Sequence, residues 1–135
     1  MNKGFILIEL IVVIAIIAIL YGIILFSVTL YINRGKDANV SGNLAVLIPA
    51  GEVYYNAYPN KYQGFCSSTV ANNAFLQMPP GTIHNCAENY ANDYQGWVAC
   101  AREFTTPSNA YCVDSRGMKK EILNSLCTSS LTQCP

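Results

Sequence analysis

Charge is scarce in this chain: 12% of its 135 residues are charged, eight of each sign, for a formal net charge of zero. From Tyr62 onward the basic residues Arg102, Arg116, Lys119 and Lys120 meet five acids, Glu88, Asp93, Glu103, Asp114 and Glu121. Nucleic-acid binding normally shows a strongly basic face, and none is forced here. Histidine is scarcer still. With His84 alone, no Gly-x-Ser-x-Gly and no phosphate-binding loop, a nucleophile finds neither a base nor an orienting group, so an enzyme is not expected. No Cys-x-x-Cys pair exists, and His84 lies near Cys86 without the paired spacings of a zinc site. The carboxylates are dispersed rather than gathered into an oxygen-ligand loop for calcium. Neither a metal nor an organic cofactor is expected.

Charge is also nearly missing from the first thirty-two residues, and there its absence is informative. One apolar run extends from Phe5 to Ile32, broken by one charge, Glu9. It is too long for the hydrophobic region of a secretory signal. At about 1.5 Å per helical residue it would reach roughly 42 Å, more than the roughly 30 Å of a bilayer core. The run can span a membrane, with Lys3 marking its cytoplasmic end. A carboxylate near the start of such a span is costly to hold in lipid and by default marks a function, so Glu9 needs a partner. An ordinary signal anchor with a stray Glu would leave the short basic leader, the Gly4-Phe5 junction and the Glu spacing unexplained.

The stretch Lys3-Gly4-Phe5-Ile6-Leu7-Ile8-Glu9-Leu10, continuing through Ile11 to Leu20, resembles the class III signal of type IV pilins and pseudopilins. That resemblance implies a leader of residues 1–4, cleavage between Gly4 and Phe5 by a prepilin peptidase, and methylation of the new Phe5 amine. It also implies a single-pass precursor in a bacterial inner membrane, handed by an assembly platform to an extracellular or periplasmic filament. In a bundle of such helices an unpaired carboxylate would cost several kcal/mol, and the Phe5 amine of a neighbouring subunit is the partner expected for Glu9. Pairing would select one axial register. Where many pilins carry Gly in the Ile-Ile-Gly-Ile-Leu stretch this chain has Ala18, and where many carry a helix-bending Pro it has Phe26. Gly22 and Gly35 are the places left where glycine weakens the helix, by about 1 kcal/mol each.

After the 5–32 segment the composition changes at Asn33-Arg34-Gly35-Lys36-Asp37. Ala38, Ser41, Leu44, Ala45, Leu47, Ile48, Gly51, Tyr54, Tyr55 and Tyr58 then recur at three- and four-residue spacing, the period of a helix with one apolar stripe. The expectation is a single helix from about Phe5 to about Tyr58, amphipathic over 33–58 and covered there by a globular domain of residues 59–135. Pro49 should kink it or make it restart. A turn at Pro59 to Gly64 ends it.

The remaining domain is under 80 residues and holds all six cysteines: Cys66, Cys86, Cys100, Cys112, Cys127 and Cys134. Domains this small rarely bury enough apolar surface alone, and disulfides are the usual remedy outside the cytoplasm. Three bridges are expected, in any of fifteen connectivities. Gln95–Arg102 and Asn109–Ser115 read as strands around Thr105-Thr106-Pro107, which sets Cys100 opposite Cys112, within disulfide reach. The same register puts Trp97, Ala99, Ala101, Tyr111 and Val113 on the face toward the helix. A turn at Asp114 to Gly117 leads to a third strand at about Met118 to Leu123.

The result is an α+β arrangement, a long N-terminal helix on a three-stranded antiparallel meander, which is also the fold the pilin resemblance implies. Cys127 and Cys134 look like the C-terminal disulfide loop of many pilins, leaving Cys66 for Cys86 around a short helix in Ser67 to Gln77. Trp97-Val98-Ala99-Cys100 and Tyr111-Cys112-Val113-Asp114-Ser115 also resemble segments of small cysteine-containing bacterial pilins. The function implied is a structural filament subunit. Two alternatives share its assembly chemistry. One is a type II secretion pseudopilin, disfavoured by the lack of a calcium loop. The other is a DNA-binding minor pilin, for which Arg116, Lys119 and Lys120 would be the patch.

Overall fold

The computed structural model describes residues 6–135. The chain forms two compact units that meet between Asn33 and Arg34. One helix, α1 (Leu7–Ala57), passes through both. In the first unit its aliphatic side chains, from Ile6 to Ile32, are exposed. In the second it is the spine of a small domain, burying Asp37, Val40, Leu44, Leu47 and Gly51. These positions follow the three- and four-residue spacing of one helical face. The buried seam therefore includes Leu44, Leu47 and Gly51 of the expected stripe, but it is centred elsewhere. Ala38 is exposed, whereas Asp37 and Val40 are buried.

Pro49 neither ends α1 nor makes it restart, contrary to one of the two expected outcomes. Its ring lies on the exposed side of the helix, where water can reach the Ala45 carbonyl that loses its donor. The flanking turns are held by the buried Leu47 and Gly51. Gly51 is needed for contact: a Cβ there would stand 2.5 Å from Trp97 Nε1. The indole thus lies directly on the helix backbone.

A second helix, α2 (Thr69–Leu76), starts where the Ser68 side chain accepts from the Ala71 N–H, a cap that satisfies one of the orphan amides of a helix start. Four strands follow: β1 (His84–Glu88), β2 (Trp97–Arg102), β3 (Asn109–Asp114) and β4 (Lys119–Leu123), all antiparallel and in sequence order across the sheet. The sheet has one strand more than the expected meander. β1 lacks the β-branched and aromatic alternation that signals a strand. It is held instead by its ladder with β2 and by the Cys66–Cys86 bridge, which ties it to the turn at Phe65–Ser67.

Both faces of the sheet are covered. Trp97, Ala99, Ala101 and Val113 pack with Val40, Leu44 and Leu47 of α1 and with Phe65, Ala71 and Ala74, while Tyr111 is half-buried against the same core. These five are the residues that the hairpin register assigned to the helix side. The opposite face, Val98, Cys100, Ala110, Cys112 and Ile122, lies under the C-terminal segment with Cys127 and Cys134. Cys100 and Cys112 do stand opposite each other in the β2–β3 ladder.

They are not bonded to each other, however. The bridges are Cys66–Cys86, Cys100–Cys127 and Cys112–Cys134, with Cα separations of 5.7, 5.8 and 5.9 Å. The expected Cys100–Cys112 and Cys127–Cys134 pairs are corrected. Two opposed cysteines share one sheet face, and when a chain segment crosses that face each can bond outward to it. Here the crossing segment carries its own two cysteines. The C-terminal residues form no separate loop; both sulfurs are stapled onto β2 and β3.

Candidate functional site

The first candidate is the apolar half of α1. Its richest 18-residue window has a mean hydropathy of 3.1 and no part of it is buried within the protein. At about 1.5 Å per residue, the 7–32 stretch is roughly 39 Å long, enough to cross a bilayer. The few polar side chains are satisfied on the helix itself. Ser27 Oγ donates to the Ile23 carbonyl and Thr29 Oγ1 to the Phe26 carbonyl, each at 3.1 Å. That is the local bonding an apolar environment demands.

Glu9 sits in the first turn of α1. Its backbone N–H donates to the Ile6 carbonyl at 2.9 Å, and its carboxylate accepts from the Ile6 N–H at 3.4 Å. A carboxylate is favoured at a helix N-terminus by the helix dipole. Among the described residues nothing else meets it. Gly4 and Phe5, the expected cleavage junction and methylation site, lie outside the described residues. The expected partner of Glu9 would belong to another subunit.

The folded domain carries three carboxylates tied to distant backbone. Asp37 of α1 accepts from the N–H groups of Phe104 (2.6 Å) and Thr105 (3.0 Å) and from the Thr105 hydroxyl. Beside it Lys36 Nζ lies 4.9 Å from the centre of the Phe104 ring, a cation–π contact. Glu88 at the end of β1 accepts from Gly64 N–H (2.9 Å) and Cys66 N–H (3.0 Å). Asp114 accepts from the Arg116, Met118 and Cys134 N–H groups and pairs with the Arg116 guanidinium at 2.5 Å. Asp37 was not legible as a core position, because it stands in a charged cluster. The signal for it is the 37-40-44-47-51 spacing.

Glu103 is the exception. It is 5% exposed, and its Oε1 has no hydrogen-bond partner among the described residues. Burial first, then the negative charges of Glu121 and Asp37, push its carboxyl above the usual range. Burial first, then the negative charges of Glu103, Asp37 and Glu121, raise the Tyr111 phenol. Burial and the neighbouring Glu52 push Tyr62 up to about 12.

The sign for Glu103 follows from linkage. A folded-state pKa above the unfolded value means that stability is fully present below the unfolded value and is lost as pH rises through the folded one. Glu103→Gln should therefore raise the denaturant midpoint at pH 8, with the gain disappearing by pH 4. Urea titrations of both proteins across that range measure it. A gain that persists at pH 4 would show that charge is not the cause.

Candidate chemistry elsewhere is sparse. His84 is exposed at the start of β1 and stacks on Phe75, ring centres 4.4 Å apart. Among the described residues no group of three or more His, Cys, Asp or Glu side chains is placed to hold a metal. Arg116 is engaged by Asp114. Lys119 and Lys120 are successive residues of β4, so they point to opposite faces of the sheet. The three cations therefore do not form one face. In comparisons with protein-family models, curated proteins and solved structures, none matches the chain.

Proposed function

We propose that this chain is a structural subunit of a type IV pilus-like filament, with a pilin fold, held as a single-pass membrane precursor and assembled through the apolar half of α1. The observation that carries the reading is the lone Glu9 carboxylate in the first turn of an exposed apolar helix, joined in sequence to the basic leader and the Gly4-Phe5 junction. A helix with no cover over twenty-six residues belongs in lipid or in a bundle of its own kind. The carboxylate is tolerable in such a bundle only when it is paired. A free amine at Phe5 of the adjacent subunit would supply that pairing, and two charges brought together in an apolar medium fix the axial stagger between subunits. The domain of residues 34–135 would then form the outer layer, with its disulfides holding a small fold together outside the cytoplasm.

Mass spectrometry and microscopy together test this. The mature chain should begin with a methylated Phe5, and Gly4→Val should leave an uncleaved membrane precursor. Glu9→Val should insert and be cleaved, yet enter filaments at least ten-fold less than wild type. Normal incorporation of the valine variant would remove the carboxylate from assembly, and a normal mature N-terminus in Gly4→Val would remove the junction. With a tagged chain, label along long surface fibres is expected for a main subunit. Tip-only label would point to a minor one, and the absence of surface fibres to a secretion pseudopilin.

A further inference from the structure

In chain order the bridges join the first cysteine to the second, the third to the fifth and the fourth to the sixth, so the last two interleave. The observed pairs span 27 and 22 residues. The alternative pairs, Cys100 with Cys112 and Cys127 with Cys134, span 12 and 7. Loop closure scales as the three-halves power of length, so an unfolded chain forms the two short pairs roughly 20-fold more readily than the two long ones. The short isomer is also compatible with a folded sheet. Cys100 and Cys112 are directly opposed in the β2–β3 ladder, and opposed Cα atoms lie about 4.5 to 5.5 Å apart, within disulfide reach. A chain that oxidised this way would keep its hairpin and lose only the C-terminal cover.

We propose that oxidation of this chain by a disulfide donor, which is itself reduced to two thiols for each bridge made, first yields the Cys100–Cys112, Cys127–Cys134 isomer, and that maturation requires a thiol-catalysed disulfide exchange between those two bridges. An external thiolate, of a small thiol or a thiol–disulfide isomerase, attacks Cys100 Sγ. This forms a mixed disulfide and releases the Cys112 thiolate. Cys112 attacks Cys134 Sγ and releases the Cys127 thiolate. Cys127 then attacks the mixed disulfide at Cys100 Sγ and releases the external thiolate. Two bridges are broken and two are made, with no net change in oxidation state.

Three contacts that exist only when the C-terminal segment lies on the sheet select the final isomer. The Asp114 carboxylate accepts from the Cys134 N–H at 3.1 Å, Arg116 Nη2 donates to the Cys134 carbonyl at 2.8 Å, and Asn85 Nδ2 donates to the Cys127 carbonyl at 2.8 Å. Burial of Cys127 and Cys134 against Val98, Ala110 and Ile122 favours the same state. Arg116 and Asn85 act as positioning residues, holding the segment where the two long bridges can close.

The test follows oxidation of the full chain in detergent micelles. The reduced, urea-unfolded protein is diluted into oxidised glutathione at pH 8 and quenched by alkylation at intervals. Non-reducing peptide maps then use cleavage after Leu131 to separate Cys127 from Cys134. Cys100–Cys112 and Cys127–Cys134 peptides should dominate early by about ten-fold. Oxidation by glutathione itself releases reduced glutathione, so the early products are quenched in acid, desalted and returned to pH 8; they should then persist, and convert to Cys100–Cys127 and Cys112–Cys134 only when reduced glutathione is added back. Long-range bridges appearing first, or conversion at the same rate without any free thiol, would overturn the proposal.

Two variants separate the parts. The Cys127→Ala, Cys134→Ala double variant should form the Cys100–Cys112 bridge, and two free thiols there would show that the opposed cysteines cannot pair. Arg116→Ala, with its side chain half exposed, should still fold but leave several-fold more of the short isomer at the end point. A wild-type end point would remove Arg116 from the selection.

Discussion

Replacing Asp114 by alanine should lower the stability of the disulfide-bonded domain by about 3 kcal/mol, the cost of taking the acceptor away from three backbone donors, of which the Cys134 N–H is buried. The carboxylate is 1% exposed. Its Oδ1 accepts from Arg116 N–H (3.0 Å) and Met118 N–H (3.3 Å), and its Oδ2 from Cys134 N–H (3.1 Å) and the guanidinium. One side chain thus closes the β3–β4 turn and pins the last bridge beside it. Most of the loss should come from the three backbone N–H groups rather than from the ion pair. Arg116 is 49% exposed, and half-exposed pairs contribute at most about 1 kcal/mol after solvent screening. Arg116→Ala should therefore cost about a third as much as Asp114→Ala. Urea unfolding of the intact chain in micelles measures both. Equal losses would mean that the ion pair dominates and that the backbone contacts are replaced by water.

The helix was legible because its period is carried by many residues at once: Leu44, Leu47 and Gly51 lie on the buried face whichever way the charged cluster is read. The seam was misplaced at its first turn because Asp37 is charged, and a charged residue is assigned to solvent unless its donors are known. Those donors sit in the β2–β3 loop, sixty-seven and sixty-eight residues away, beyond any local pattern. The β2–β3 register was legible from the turn at Thr105 to Pro107, since a hairpin fixes its own partners. β1 was not, because its pairing with β2 is what makes His84 to Glu88 a strand.

The cysteines show the same division between local and distant information. Cys66 and Cys86 bracket one short helix and its following turn, and they pair. For the other four, sequence proximity favours the short loops, and the observed choice depends on where the chain goes after Leu123. That path crosses the sheet face carrying Cys100 and Cys112 and is fixed by Asp114, Arg116 and Asn85. Glu9, by contrast, stands out from composition alone, as the one carboxylate in an apolar run. The partner proposed for it would lie in another chain, which no pattern within this one can show.

Asp37→Ala should cost about 3 kcal/mol as well, and Asp37→Asn nearly as much. The alanine leaves the half-buried Phe104 and Thr105 N–H groups and the Thr105 hydroxyl without their acceptor, and each lost hydrogen bond there costs about 1 kcal/mol. The asparagine is the sharper test. All three partners are donors, so an amide can accept with its oxygen but must turn its NH2 group toward another donor. A carboxylate is required because it presents acceptors on both oxygens. Thr105→Val removes only the hydroxyl bond and should cost about 1 kcal/mol. Hydrogen exchange at the Phe104 and Thr105 amides reports the anchor directly: protection should be lost in Asp37→Asn while the β2 and β3 amides stay protected. If Asp37→Asn keeps both the wild-type midpoint and the loop protection, size and polarity at this position suffice. The buried charge would then be incidental to how the β2–β3 loop is fastened to α1.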